Sequence, residues 1–76
     1  MENIDIFLSK IALQFEDTDV NEITKNAKFK DLEEWSSLTS MAIIAFIKTE
    51  YGKSVTGSEI RACITFEDLY HLIDSK

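Results

Sequence analysis

The stretch SLTSMAIIAFIKTEY, residues 37–51, followed at once by Gly52, decides the fold reading. No glycine or proline interrupts it, and glycine stops a helix well because it takes the left-handed conformation at little cost. The run therefore predicts a helix from Ser37 to Tyr51. Its apolar residues Leu38, Met41, Ile44, Phe46, Ile47 and Tyr51 do not share one narrow stripe, and Ile43 widens the apolar surface further. A helix of this kind is either central to a bundle or carries a sticky exposed face. Met41 fits either description.

Working outward, Ile4, Phe7, Leu8, Ile11 and Phe15 recur at steps of three and four. That spacing predicts a first helix from Asn3 to Phe15, with Asn3 as its cap and Asp5 near the positive end of its dipole. Ile6 and Leu13 fall at the edges of that stripe. Residues 16–36 form a long connection. A structureless loop of that length is unusual in a small domain, so it must be pinned by its own apolar residues. Val20, Ile23, Phe29, Leu32 and Trp35 are the candidates, with a short helical turn near Val20–Ile23. A short third helix is predicted over Gly57–Ala62. A last helix is predicted over Phe66–Asp74, where Thr65 is a good N-cap and Asp68 stands in the capping-box position. Phe66, Leu69, Leu72 and Ile73 are its inward residues. With no proline, two glycines and no repeat, the chain reads as a single all-α domain over residues 1–76. The architecture is a four-helix bundle with a long first loop and a short third helix.

Composition narrows the function. Fourteen acidic and eight basic residues give a formal charge of −6, which disfavours nucleic acid, because phosphate binding needs clustered Lys and Arg. It favours partners with basic surfaces. An apolar fraction of 45% is ordinary for a folded domain. No apolar run is long enough to span a bilayer. The opening MENIDIFLSK lacks the basic start of a signal peptide, so a cytoplasmic location is expected. One cysteine and one histidine fall short of a structural zinc set, and no metal is expected. Nothing points to an oligomer, and a monomer is the expectation.

Two enzyme readings can be weighed. A Cys63–His71 dyad would need an activated thiolate and a third group to orient the base; the bland reading is a half-buried cysteine and a surface histidine. Glu33 and Glu34 are adjacent acids that read as a solvated surface rather than an acid/base pair. No enzymatic activity is expected, and a hydrolase using Cys63 would show thiol-dependent turnover. The remaining constellation is DLEEWSSL, residues 31–38, which sets two serines between the loop and the apolar helix. The ordinary reading is that Ser36 or Ser37 is an N-cap.

The wider stretch FKDLEEWSSLTSMAIIAFI, residues 29–47, resembles the modification segment of acyl carrier proteins. More narrowly it resembles a discrete branch with the pattern D-L-x-x-W-D-S-L ahead of the second helix. The upstream ITKNAKFKDL and the downstream EYGKSVTGSEIRACITFEDLYHLI follow the family too, so the resemblance covers nearly the whole chain. It implies a bundle of acyl-carrier type. The serine at the start of the second helix would receive 4′-phosphopantetheine from coenzyme A, and the matching position is Ser37. The arm would hold an acyl or aminoacyl group as a thioester. The implied partners are a phosphopantetheinyl transferase, a loading ligase, and an acyltransferase or other biosynthetic enzyme.

The chain departs from the pattern twice. The family has Asp before the modified serine, whereas this chain has Ser36. That leaves a second hydroxyl, and Ser37 is favoured because Leu38 and the helix register follow it. Ser36 also leaves open an adaptor that keeps the fold but carries no prosthetic group. The second departure concerns charge. Between Ser37 and Lys53 there is one acid, Glu50, while residues 16–34 hold seven acids and three lysines. Docking is therefore expected on Leu38 and Met41, with Ala42 and Ala45, and with charge steering from the first loop.

Overall fold

Four helices frame the chain: α1 (Ile4–Ala12), α2 (Ser37–Tyr51), α3 (Gly57–Ala62) and α4 (Phe66–Asp74). The computed structural model describes residues 1–76. Each helix begins on a side-chain oxygen, which supplies a partner for one of the orphan amides of the first turn. Asn3 accepts from the Ile6 amide at 3.0 Å. Thr56 accepts from the Glu59 amide at 3.1 Å, and Glu59 reaches back to the Thr56 amide at 2.9 Å. Thr65 accepts from the Asp68 amide at 3.2 Å, while Asp68 takes the amides of Thr65 and Ile64. Those two amides hold the Asp68 carboxyl below its ordinary pKa. Gly52 ends α2 in the left-handed region, at φ 67°. No helix is long and apolar enough to cross a membrane.

The bounds of α2, α3 and α4 agree with the sequence reading, but α1 is shorter. It closes at Ala12 instead of Phe15 because the backbone tightens: the amides of Gln14 and Phe15 reach back three residues, to Ile11 and Ala12. Phe15 is still delivered to the core by that tighter turn. Leu13 is thrown outward and is 81% exposed.

The long connection is pinned, as its length requires, though not by all the residues expected. Ile23 and Phe29 are buried, and Leu32 and Trp35 pack against the core. Val20 is 64% exposed. The one-turn 3₁₀ helix Val20–Glu22 sends Ile23 inward and leaves Val20 on the edge of a shallow groove beside Leu8. A second 3₁₀ turn, Phe29–Asp31, has no counterpart in the sequence reading. The backbone supplies further anchors. The Phe66 and Glu67 amides at the start of α4 donate to the carbonyls of Ala27 and Lys25, at 3.2 and 3.0 Å. Lys28 and Thr65 form an isolated antiparallel bridge, and the chain has no strand. Lys30 caps the end of α3 through the Arg61 carbonyl at 2.6 Å.

The core contains fourteen buried residues, none of them charged. Aromatic rings hold it at two levels. Phe29 sits 4.8 Å from Trp35 and 5.4 Å from Phe66, with Phe15 against both Trp35 and Phe66. At the other level Phe7 meets Tyr51 and Tyr70. There the Tyr51 hydroxyl donates to Glu2 at 2.5 Å and the Tyr70 hydroxyl donates to the Glu2 carbonyl at 2.6 Å. Burial, reinforced by Glu2, pushes the Tyr51 pKa up, and the tyrosine bond holds Glu2 down. The proton therefore stays on Tyr51 and the charge on Glu2.

Phe29 joins the connection to α4 and is fully buried. Phe29→Ala should cost about 3–5 kcal/mol, a large part of the roughly 5–15 kcal/mol total of an ordinary domain. Urea unfolding followed by circular dichroism checks this, and an unchanged midpoint would show that the connection lies outside the cooperative core.

Candidate functional site

Leu32 and Trp35 draw the end of the connection down onto the core, and α2 starts immediately afterwards. Ser36 is the N-cap, in extended conformation. Its Oγ accepts from the Thr39 amide at 3.3 Å, and its carbonyl accepts from the Ser40 amide at 2.9 Å. Ser37 is the first helical residue. Its side chain is exposed, and its hydroxyl has no hydrogen bond to any other group of the protein. The two serines that the sequence left as alternatives are thus divided by role. Ser36 closes the helix, and Ser37 stands free beside it.

Just upstream, Glu34 behaves unlike its neighbour. Glu33 is exposed, as expected of a solvated acid. Glu34 is half-buried, and its carboxylate accepts from the Glu16 amide at 2.7 Å, the Asp17 amide at 3.0 Å and the Thr18 hydroxyl at 2.7 Å. The bond from Thr18, with the two amides, lowers the pKa of Glu34. Its carbonyl accepts from the Thr39 hydroxyl at 2.7 Å. The expectation of a merely solvated pair is corrected for Glu34. Its partners lie sixteen to eighteen positions away, and no local sequence signal marks them. Beside this contact is a concavity of about 370 Å³ lined by Asp17, Thr18, Glu22, Leu32, Glu33 and Glu34. No set of three or more acid, cysteine or histidine side chains is arranged to hold a metal ion.

Downstream, α2 has two apolar faces. Ile43 and Ile47 are buried, while Leu38 is 77% exposed and Met41 65% exposed. Ala42 and Ala45 are exposed as well. Positions 38, 41, 42 and 45 follow the three- and four-residue steps of one helix face, so a continuous apolar stripe begins one residue after Ser37. Met41 belongs to the outer face, not to the core. The only acid of this helix, Glu50, lies at its far end and pairs with Lys10 at 2.8 Å.

Cys63 closes α3 and is buried. Burial, with Asp68 nearby, pushes its thiol pKa up, the reverse of what an attacking thiolate needs. His71 is exposed on α4 with its ring against Tyr70. No hydrogen bond joins the two.

The division of roles between the serines is measurable. Ser36→Ala removes a cap and should destabilise the fold by about 1 kcal/mol. Ser37→Ala touches nothing and should stay within about 0.5 kcal/mol of the parent. Thermal melts of both variants check the ranking, and the reverse order would move the cap to Ser37. Comparisons of the chain with protein-family models, with curated proteins and with solved structures each return no match.

Proposed function

We infer that the chain is a carrier domain of acyl-carrier type, with Ser37 as the attachment point of a 4′-phosphopantetheine arm. The observation that carries this reading is the free, exposed hydroxyl of Ser37 at the mouth of α2, beside a serine already committed to capping. When bound, the arm supplies a thiol that holds an acyl or aminoacyl group as an activated thioester.

The surroundings of Ser37 suit such a group. The first turn of α2 contains no acid, so the positive end of the helix dipole is unopposed there. The Thr39 amide is taken by Ser36, whereas the amides of Ser37 and Leu38 have no partner in the protein. A phosphodiester on Ser37 Oγ would place its negative charge beside these two donors. In the attachment step, Ser37 Oγ takes the phosphopantetheinyl group from coenzyme A. The adenosine bisphosphate leaves, and the hydroxyl proton passes to the transferase.

The serine preceding the attachment point bears on the departure from the family pattern. Asp and Ser cap helices about equally well. Ser36 therefore keeps the capping bond and lacks only the carboxylate. Partners are proposed to dock on the stripe of Leu38, Met41, Ala42 and Ala45. Basic side chains of those partners would be steered by the acids of the first loop.

Intact-mass spectrometry after incubation with coenzyme A and a broad-specificity phosphopantetheinyl transferase tests the attachment. One phosphopantetheine should be gained by the parent and by Ser36→Ala, and none by Ser37→Ala. Ser36→Asp should be modified faster than the parent. No gain with any transferase would favour the other reading, a helical adaptor that uses the same apolar stripe without an arm.

Docking is tested separately. Leu38→Ala and Met41→Ala should each weaken transferase binding by about 1 kcal/mol or more. Binding of the parent should change little with added salt, because apolar burial is not screened. A steep collapse of affinity with salt would place the contact on charge instead.

A further inference from the structure

The geometry points to Glu34 as a positioning residue for the modification of Ser37, a role that rests on the carrier reading above. The segment from Glu34 to Thr39 is tied at both ends. At one end the Glu34 carboxylate gathers the amides of Glu16 and Asp17 and the hydroxyl of Thr18. At the other end the Thr39 hydroxyl returns to the Glu34 carbonyl at 2.7 Å, and the Thr39 amide donates to Ser36. Ser37 lies inside this closed span and is the one hydroxyl there with no bond of its own. The helix start is thereby fastened to the corner where α1 runs into the long connection.

A brace of this kind acts on reaction geometry. A transferase must hold the Ser37 hydroxyl in line with the phosphorus it attacks, and ordering a loose backbone for that purpose is unfavourable. A segment already fixed needs less ordering at that moment. Of the apolar stripe that would make the docking contact, only Leu38 lies within the span, while Met41, Ala42 and Ala45 lie beyond it. Loss of the brace should therefore appear in turnover more than in binding.

Charge offers a competing account, since Glu34 is one of several acids in the region. Glu33 separates the two accounts. It has the same charge one position earlier, is exposed, and accepts no hydrogen bond. Steering by charge would treat the two glutamates alike, whereas bracing would not.

The test uses the full chain, a broad-specificity phosphopantetheinyl transferase and coenzyme A, with kcat and KM measured separately. Glu34→Ala should lower kcat by about tenfold with KM little changed, the pattern of an interaction that matters only in the transition state. Glu33→Ala should stay within about twofold of the parent in both constants, as expected for a screened surface charge. Thr39→Val breaks the other end of the span, keeps the backbone cap from Ser36, and should lower kcat in the same way. Glu34→Gln keeps one accepting oxygen and should fall between. Hydrogen exchange at the Glu16 and Asp17 amides should speed up in Glu34→Ala. Circular dichroism identifies any variant that has unfolded; if Glu34→Ala has, Thr39→Val decides.

Parental kcat in a folded Glu34→Ala would overturn the proposal. So would an equal loss in Glu33→Ala, or a loss confined to KM that disappears with salt. A parent chain that accepts no phosphopantetheine would end the carrier reading and the brace with it. A parent that is modified while the brace variants keep pace with it would end the brace alone.

Discussion

Helices begin with amides that have no partner inside the helix, and the way α4 satisfies its own organises this protein. The first two amides of α4, at Phe66 and Glu67, are taken by the carbonyls of Ala27 and Lys25, and the third, at Asp68, by the Thr65 hydroxyl. The long connection therefore cannot be lifted away without orphaning the start of α4. Once residues 25–28 are held there, Phe29 falls against Phe66 and Trp35 against Phe29. Trp35 is followed directly by the two serines. The position of Ser37 relative to the bundle is thus a consequence of hydrogen bonds made ten residues earlier, not of the connection's own stiffness.

The same packing explains why α2 has apolar residues on both sides. Its inward face, Ile43 and Ile47, is fully buried. The outward stripe brings the helix no stability in the free chain, since Leu38 and Met41 remain in water. Burying a side chain of that size contributes about 1.5–3 kcal/mol, a gain that the free chain does not realise at these two positions. Ala42 and Ala45, one turn beyond Leu38 and Met41, are small enough for a partner backbone to come close beside the two larger residues. A stripe of two large and two small residues is also narrow, which limits nonspecific adhesion.

Features fixed within four residues could be read from the sequence. Gly52 as a stop, Thr65 with Asp68 as a box and Asn3 as a cap each involve a side chain and a backbone group a few positions apart. The period of the apolar residues locates the helices between such marks. Contacts between distant segments have no period. Nothing in the spacing of Glu34 tells that it will collect the amides of Glu16 and Asp17, and it reads as one acid among seven. Phe29 could be named as a pin, but not the 3₁₀ turn that carries it. Which serine caps α2 depends on a shift of one residue in the helix start, below what periodicity can fix. Val20 misled because a branched apolar residue in a one-turn helix has no second turn to hold it inward.

The two ends of α2 are held by different means, and the contrast bears on what Ser37 can do. At the far end Tyr51 is tied to Glu2, and Tyr70 reaches the Glu2 carbonyl. There Lys10 also bridges Glu50 and Glu2. The rings of Phe7, Tyr51 and Phe46 fill the space between these ties. At the near end the fastening is a capping hydroxyl and the carboxylate of Glu34, with Trp35 beneath. α2 is thus fastened at both ends, with the exposed hydroxyl of Ser37 at its edge. A group attached at Ser37 Oγ would therefore owe its reach to its own length and rotatable bonds, while the helix below keeps its docking stripe in one fixed relation to the point of attachment. In a carrier of the proposed kind, the fixed position of the helix and the freedom of the cargo would then be separate properties, divided at a single ester oxygen.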